Sequence, residues 1–239
     1  IRVKHVTGVQ TCALPIYLDT AFRGYENLDE QVRGLDRFGE QAHDIISSPT
    51  TRNAFDLSLE KTSESTRFGR HEFGQSLLLA SRLIEAGVHF VTVRLRPAEF
   101  DFDTHLDNFS KLSALLPPFD KGLASLIDRL KERGLFCSTA IMVAGEFGRT
   151  PKINAQGGRD HWARAMFALM AGGDVQGGQT IGETDKHAGE PVGQGYSPEV
   201  LAASFFQNIG IDSQTEFHAN VGRPVTLVRD GKPISQLFS

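Results

Sequence analysis

The chain has 239 residues, 40% hydrophobic and 23% charged, with a formal net charge of −4, which suits one globular domain with a sizeable core. The slight acidic excess excludes the basic footprint that nucleic acid or an anionic membrane surface requires, and no apolar run approaches the roughly 20 residues that span a bilayer. The two cysteines, Cys12 and Cys137, form neither a disulfide framework nor a metal or redox spacing, and Cys137 is expected to be a small core residue.

Val6–Ile16 reads VTGVQTCALPI, closer to the translation of a sequencing-library adapter than to a protein segment. Residues 1–16 are therefore set aside as a leader of artefactual origin. From Leu18 to Ile46, Leu28, Val32, Leu35 and Phe38 recur at three- and four-residue steps, a helical pattern ended by Ser47-Ser48-Pro49. A short helix over Asn53–Leu59 and a charged connector, Lys61 to Arg70, are predicted next. Phe73–Ala86 is an amphipathic helix with Leu77, Ala80, Leu83 and Ile84 on one face and Gly87 at the C-terminal cap.

Val88–Leu95 (VHFVTVRL) is rich in β-branched residues and reads as a strand. A helix over Asn108–Leu115 follows, broken by Pro117-Pro118, with a second helix over Phe119–Arg133 closed by Gly134. Ser138–Ala144 is an apolar run suited to a buried parallel strand, and Ala165–Ala171 is another such run. Residues 174–196 are turn-like, with a short strand near Gln179–Ile181. Ser197-Pro198 opens a helix over Glu199–Ile209. Val225–Val228 reads as an edge strand and Asp230-Gly231 as a hairpin turn. Alternating helices and strands predict an α/β fold with a parallel sheet covered on both faces. Ligands in such sheets bind beyond the carboxyl ends of the strands.

Three polar clusters fall at that edge. After the first strand come Asp101, Asp103 and His105. Two residues apart in an extended segment, Asp103 and His105 project to one side and can share a divalent ion. The competing reading makes Asp103 the cap of a helix starting near Thr104. After Ser138–Ala144 comes GEFGRT. It places Glu146 just past a strand, where a ligand or general base is held rigidly, and Arg149 as a planar fork for an anion. Read blandly, this pair is a surface ion pair worth about 0–1 kcal/mol. The third cluster is Gly158-Arg159-Asp160-His161-Trp162, with the only tryptophan. Here Asp160 and His161 are either two ligands or a histidine held by a carboxylate behind it. Convergence of all three clusters on one edge predicts a shared functional site. His43, His71, His89, His187 and His218 lack partner spacing and read as incidental, whereas Lys186-His187 beside Asp185 is a candidate substrate-side loop. No G-x-S-x-G elbow or P-loop occurs, and GGDVQGG lacks the context of a dinucleotide fingerprint.

MVAGEFGRTPKIN, GRDHW, LMAGGDVQGGQTIGETD and FGQSLLLASRLIEAGVHFVTV together resemble domain-of-unknown-function family 1501 (DUF1501), a bacterial family grouped with the alkaline phosphatase and sulfatase clan. The likeness covers roughly Ala54 to Ile234. It implies an alkaline-phosphatase-like parallel-sheet sandwich with helices on both faces, truncated at its N-terminus. The expected organisation is thus one such domain over 17–239, the C-terminal part of a longer protein that carries an export signal to the periplasm or exterior. By the same resemblance Asp103, His105, Glu146, Asp160 and His161 are metal ligands and Arg149 binds the anion. The ion is zinc foremost, with manganese, calcium or magnesium as alternatives. The Asp-Thr-His spacing is tighter than the clan's usual interval, and Glu-Phe-Gly-Arg replaces its usual Asp-His pair. The nucleophile belongs to an N-terminal segment not seen here. The expected function is hydrolysis of phosphate or sulfate esters, acting on a small anionic ester or a sulfated or phosphorylated polysaccharide. The alternative is a catalytically idle exported protein that binds carbohydrate or a partner.

Overall fold

The structure is a computed structural model that describes residues 39–40, 48–94, 102–193, 195–218 and 223–238. The adapter-like run, Asp101, Leu95 and all of the Leu18–Ile46 helix except Gly39 and Glu40 lie outside the described residues. The chain groups into two compact units, one of residues 1–101 and 114–126, the other of 102–113 and 127–239.

In the first unit, helix α1 (Pro49–Phe55) starts at Ser48, whose hydroxyl accepts from the Thr51 N–H, with proline at the first helical position. A 3-10 turn over Leu57–Leu59 follows. Helix α2 (Thr62–Phe68) occupies the segment expected to be a connector. Its sequence TSESTRF has no apolar stripe to reveal it. Fully buried Phe68 anchors it instead, and Gln75 donates to the carbonyls of Ser65 at 3.1 Å and Gly69 at 2.7 Å. Helix α3 (Glu72–Glu85) matches its expected amphipathic segment and buries Phe73, Leu77, Leu78, Leu79, Ala80 and Leu83.

His71 is not incidental: its Nδ1 accepts the Gly74 N–H at 3.1 Å and caps α3. Burial, and then the nearby charge of Lys121, hold its pKa below the ordinary 6.5. Arg82 has a similar capping role at a distance. It donates to the carbonyls of Asn53, Ala54 and Asp56, where α1 ends, and pairs with Glu60 at 2.8 Å. One guanidinium thus gathers three carbonyls at the end of α1, of which those of Asn53 and Asp56 also accept backbone N–H groups.

Residues 88–94 correct the strand expected there. They form no ladder among the described residues, with only an isolated bridge at Val93, while Val88 and Val91 pack against Ala54, Leu79 and Leu83. The β-branched pattern recorded burial on the helical core, not pairing. Helix α4 (Asn108–Glu132) is also a correction, because Pro117 and Pro118 lie inside one continuous helix. Each proline removes a backbone bond and costs about 3 kcal/mol. Packing on the stretch after the prolines offsets that cost: Phe119 meets Phe73 edge-on at 6.4 Å, and the Ser125 hydroxyl reaches the Arg67 carbonyl at 3.0 Å. Leu115 and Leu126 are buried on either side.

In the second unit, β1 (Ile141–Ala144) pairs with β4 (Ala168–Ala171), β2 (Gly148–Arg149) with β3 (His161–Trp162), and β5 (Glu216–His218) with β6 (Pro224–Thr226). All three pairs are antiparallel, so the class is mixed helix and small antiparallel sheets. The buried parallel strand expected at Ser138–Ala144 is instead a four-residue antiparallel strand, alternately half-buried and exposed. The apolar run alone carries no information on strand direction. Cys137 is exposed, not a core residue. Gln179–Ile181 forms no strand, and the nearest pairing is a bridge from Thr184 to Pro191. Helix α5 (Pro198–Asn208) begins at Ser197 as expected. Asp230 takes a left-handed conformation at φ 54° in a bend that no described strand follows. No helix among the described residues is long and apolar enough to cross a membrane.

Arg82→Ala should lower stability by about 3–5 kcal/mol, as expected when one partner of a largely buried pair is removed. Urea unfolding checks this, and a loss under 1 kcal/mol would contradict the capping role. Because folded His71 binds its proton more weakly than unfolded His71, stability should rise with pH across the window that ends near 6.5 and fall as pH drops through the folded value. His71→Asn, which keeps a capping acceptor, should flatten that slope in unfolding curves taken across the window.

Candidate metal centre

Every described residue of the site belongs to the second unit. Its base is the two-rung ladder of β2 and β3, in which Arg149 stands opposite His161. Directly opposed residues of an antiparallel pair share one face, so the ladder aims both side chains the same way. Thr150 and Asp160 extend the pairing, with the Thr150 N–H to the Asp160 carbonyl at 2.8 Å and the Asp160 N–H to Thr150 Oγ1 at 3.0 Å. Gly148 is required here because a Cβ would overlap the Ala165 carbonyl oxygen. Gly148 thus admits a neighbouring backbone.

The other half comes from residues 102–108. The Arg159 N–H donates to the Thr104 carbonyl at 2.9 Å, the Asp107 N–H to Gln156 at 3.2 Å and the Asn108 N–H to Gly157 at 3.0 Å. Leu106 bridges Gly157. Buried Thr104 bonds Asn108 at 2.6 Å, while Asp103 and His105 reach each other, Oδ1 to Nε2, at 3.0 Å. Asp103 does not cap a helix, since α4 starts at Asn108 and the capping position is Asp107.

These two halves bring three ligand-type atoms together. Asp103 Oδ1 lies 3.0 Å from His105 Nε2 and 3.1 Å from His161 Nε2, and the two Nε2 atoms are 3.1 Å apart. Atoms bound at about 2.1 Å to one ion stand about 2.9–3.4 Å apart, whether the angle between them is octahedral or tetrahedral. Three unprotonated atoms cannot crowd this closely without a positive charge among them, either a proton or a cation. The donor set, two imidazoles and a carboxylate, suits a first-row divalent ion. Asp103, His105 and His161 therefore form a possible metal-ligand triad.

The surroundings set the charge. Arg149 donates to Asp103 Oδ1. Burial pushes the Asp103 carboxyl up, but the hydrogen bonds from Arg149 and His161 and the Arg149 charge outweigh it and leave the carboxyl below its ordinary value. Asp160 faces the far nitrogen of His105, Nδ1, at 3.0 Å. That bond, then one from Asn154, lowers its pKa as well. Phe147 stacks on His161 at 4.2 Å between ring centroids, and the Arg149 guanidinium lies 5.6 Å over the same phenyl ring. The side chains of Asp103 and His161 are 43% and 50% exposed, so the triad is open to solvent.

Glu146 is exposed and stands outside the converging triad. The loop around Asp185 is tied to the site's edge, because Trp162, next to His161, donates to the Gly189 carbonyl at 2.6 Å. Asp185 in turn accepts the N–H groups of His187 and Gly189 at 2.9 and 2.8 Å. Asn154 escaped sequence reasoning. Its only signal was an Asn ahead of Gln156-Gly157-Gly158, the kind of residue that closes a turn on its own side chain.

The family model for proteins of unknown function DUF1501 matches residues 5–238. The chain belongs to DUF1501. No curated protein and no solved structure matches it. For this DUF1501 chain, calorimetric zinc titration checks the triad. His161→Ala and Asp103→Ala should each weaken binding at least about 100-fold, and Glu146→Ala should change it less than about threefold. Equal affinity across the three variants would contradict the grouping.

Proposed function

We propose that the chain carries the cation site of a hydrolase acting on phosphate or sulfate esters. The observation that carries this reading is the meeting of Asp103 Oδ1, His105 Nε2 and His161 Nε2 within 3.0–3.1 Å, with Arg149 against the same carboxylate oxygen. Asp103, His105 and His161 would hold one divalent ion, zinc foremost, with manganese, magnesium or calcium as alternatives. Such an ion supplies Lewis-acid polarisation of an ester oxygen.

The groups around the triad bind and orient the anion. Arg149 has five N–H donors and engages Asp103 through Nη1, which leaves donors to bind the non-bridging oxygens of a tetrahedral anion. Phe147 holds both His161 and the guanidinium in place. The hydroxyls adjacent in sequence to these residues are not candidate nucleophiles: Thr104 is buried and donates to Asn108, and Thr150 Oγ1 donates to the Lys152 carbonyl at 2.9 Å and accepts the Asp160 N–H. The exposure of the triad suits a substrate presented at the surface, either a small anionic ester or a sulfated or phosphorylated polysaccharide. The same reading takes in an alkaline-phosphatase-like core in the whole protein and a periplasmic or extracellular location, both from the sequence resemblance.

Turnover of an aryl phosphate and an aryl sulfate by the zinc-loaded whole protein, which includes the segment expected to supply the nucleophile, tests the reading. One of the two should be hydrolysed. Arg149→Ala should lower kcat/KM about 10- to 100-fold, the loss expected for charge-assisted hydrogen bonds of about 1.5–3 kcal/mol. Zinc binding without turnover of either ester would overturn the hydrolase reading in favour of an idle binding protein.

A further inference from the structure

His105 uses both ring nitrogens. Nε2 faces the triad, and Nδ1 faces Asp160 Oδ1 at 3.0 Å. A carboxylate oxygen only accepts hydrogen bonds, so Asp160 calls for a proton at Nδ1 and Asp103, 3.0 Å from Nε2, for a positive charge there. A cation among the three atoms meets the second demand and leaves the proton at Nδ1, with the Nε2 lone pair toward Asp103 and His161. The opposite tautomer would place a hydrogen where the three atoms meet.

What holds Asp160 in place is Asn154. Its Nδ2 donates to Asp160 Oδ1 at 3.1 Å and to the His105 carbonyl at 2.9 Å. Its Oδ1 accepts the N–H groups of Gln156 at 3.0 Å and Gly158 at 2.9 Å. All four bonds fit one orientation of the amide. Turning it over would set the NH2 group against two N–H donors and the oxygen against two oxygens. The surrounding loop cannot shift to compensate. The Asn154 N–H bonds the Gly158 carbonyl at 2.9 Å, and Gly158 presses so closely on His105 that a Cβ would overlap its carbonyl. Asn154 therefore fixes the backbone of His105 and the partner of its ring together.

We infer that Asn154 and Asp160 are positioning residues that lock His105 in the Nδ1–H tautomer, so that its Nε2 is presented as a ligand. In this assignment Asp160 acts behind a ligand and is not one itself. The inference rests on the reading of Asp103, His105 and His161 as a cation site. Carboxylates placed behind ligating histidines typically change metal affinity 10- to 100-fold.

Two near-isosteric variants of the full chain separate this role from a structural one. Asp160→Asn keeps the shape but removes the obligate acceptor. Asn154→Asp keeps the acceptor for Gln156 and Gly158 but turns the donor to Asp160 and to the His105 carbonyl into an oxygen. Both should weaken zinc binding, read by competition with a chromophoric chelator, about 10- to 100-fold. Nitrogen-15 correlation spectra of the metal-free protein should show Nδ1–H at His105 in the wild type and loss of that tautomer in both variants. Variants that keep the Nδ1–H signature and bind zinc within about twofold of wild type overturn the inference. So does a wild-type His105 that carries no proton at Nδ1, whether or not the variants fold. Wild-type protein that takes no zinc overturns the cation reading alone, and the tautomer spectra then decide the positioning role separately.

Discussion

Residues 104–108 are fastened to residues 156–159 by three backbone hydrogen bonds and a bridge, and the geometry of the site depends on that seam. Asp103 and His105 come from one side of that seam, and Asp160 and His161 from the other. Without it, four exposed polar side chains separated by more than fifty residues of sequence would have no reason to meet. Exposed ion pairs contribute little to stability, so the side chains do not hold the loops together. The backbone holds the loops, and the loops hold the side chains.

The chemistry follows from that division. A rigid seam can bring three ligand-type atoms to 3.0–3.1 Å, a spacing met either by shared protons or by a cation. The second support is the β2–β3 ladder, which sets Arg149 and His161 on one face. Each depends on a glycine at close approach, Gly158 against His105 and Gly148 against Ala165. Gly148 of GEFGRT and Gly158 of GRDHW are thus fixed by backbone packing around the site.

Much of this was legible in the sequence, but unevenly. Helix α3 could be read because its apolar spacing and its flanking glycine agree, and α5 because Ser197-Pro198 marks its start. Helix α2 could not, since TSESTRF has no apolar period and is held by Phe68 and Gln75. Proline chemistry predicted a break at 117–118, yet burial of Leu115 and Leu126 and the Phe119–Phe73 contact keep α4 continuous. Strand direction was invisible, because IMVA and ALMA are apolar in either direction. At the site, the residue types pointed to one locus, and the structure brings Asp103, His105, Arg149, Asp160 and His161 together there. Sequence spacing could not separate Asp160, which sits behind His105, from the atoms that face the centre. Glu146 follows its strand as expected but stands apart from the triad. Asn154 was hidden because a residue that satisfies four backbone and side-chain partners looks, in sequence, like any loop asparagine.

X-ray absorption at the zinc edge of the metal-loaded protein tests the central claim most directly. Two imidazole nitrogens and one carboxylate oxygen should stand among the ligands at about 2.0–2.2 Å, with no sulfur. A sulfur shell near 2.3 Å, which only a cysteine or a methionine can supply, or a shell of oxygens without imidazole, would contradict it.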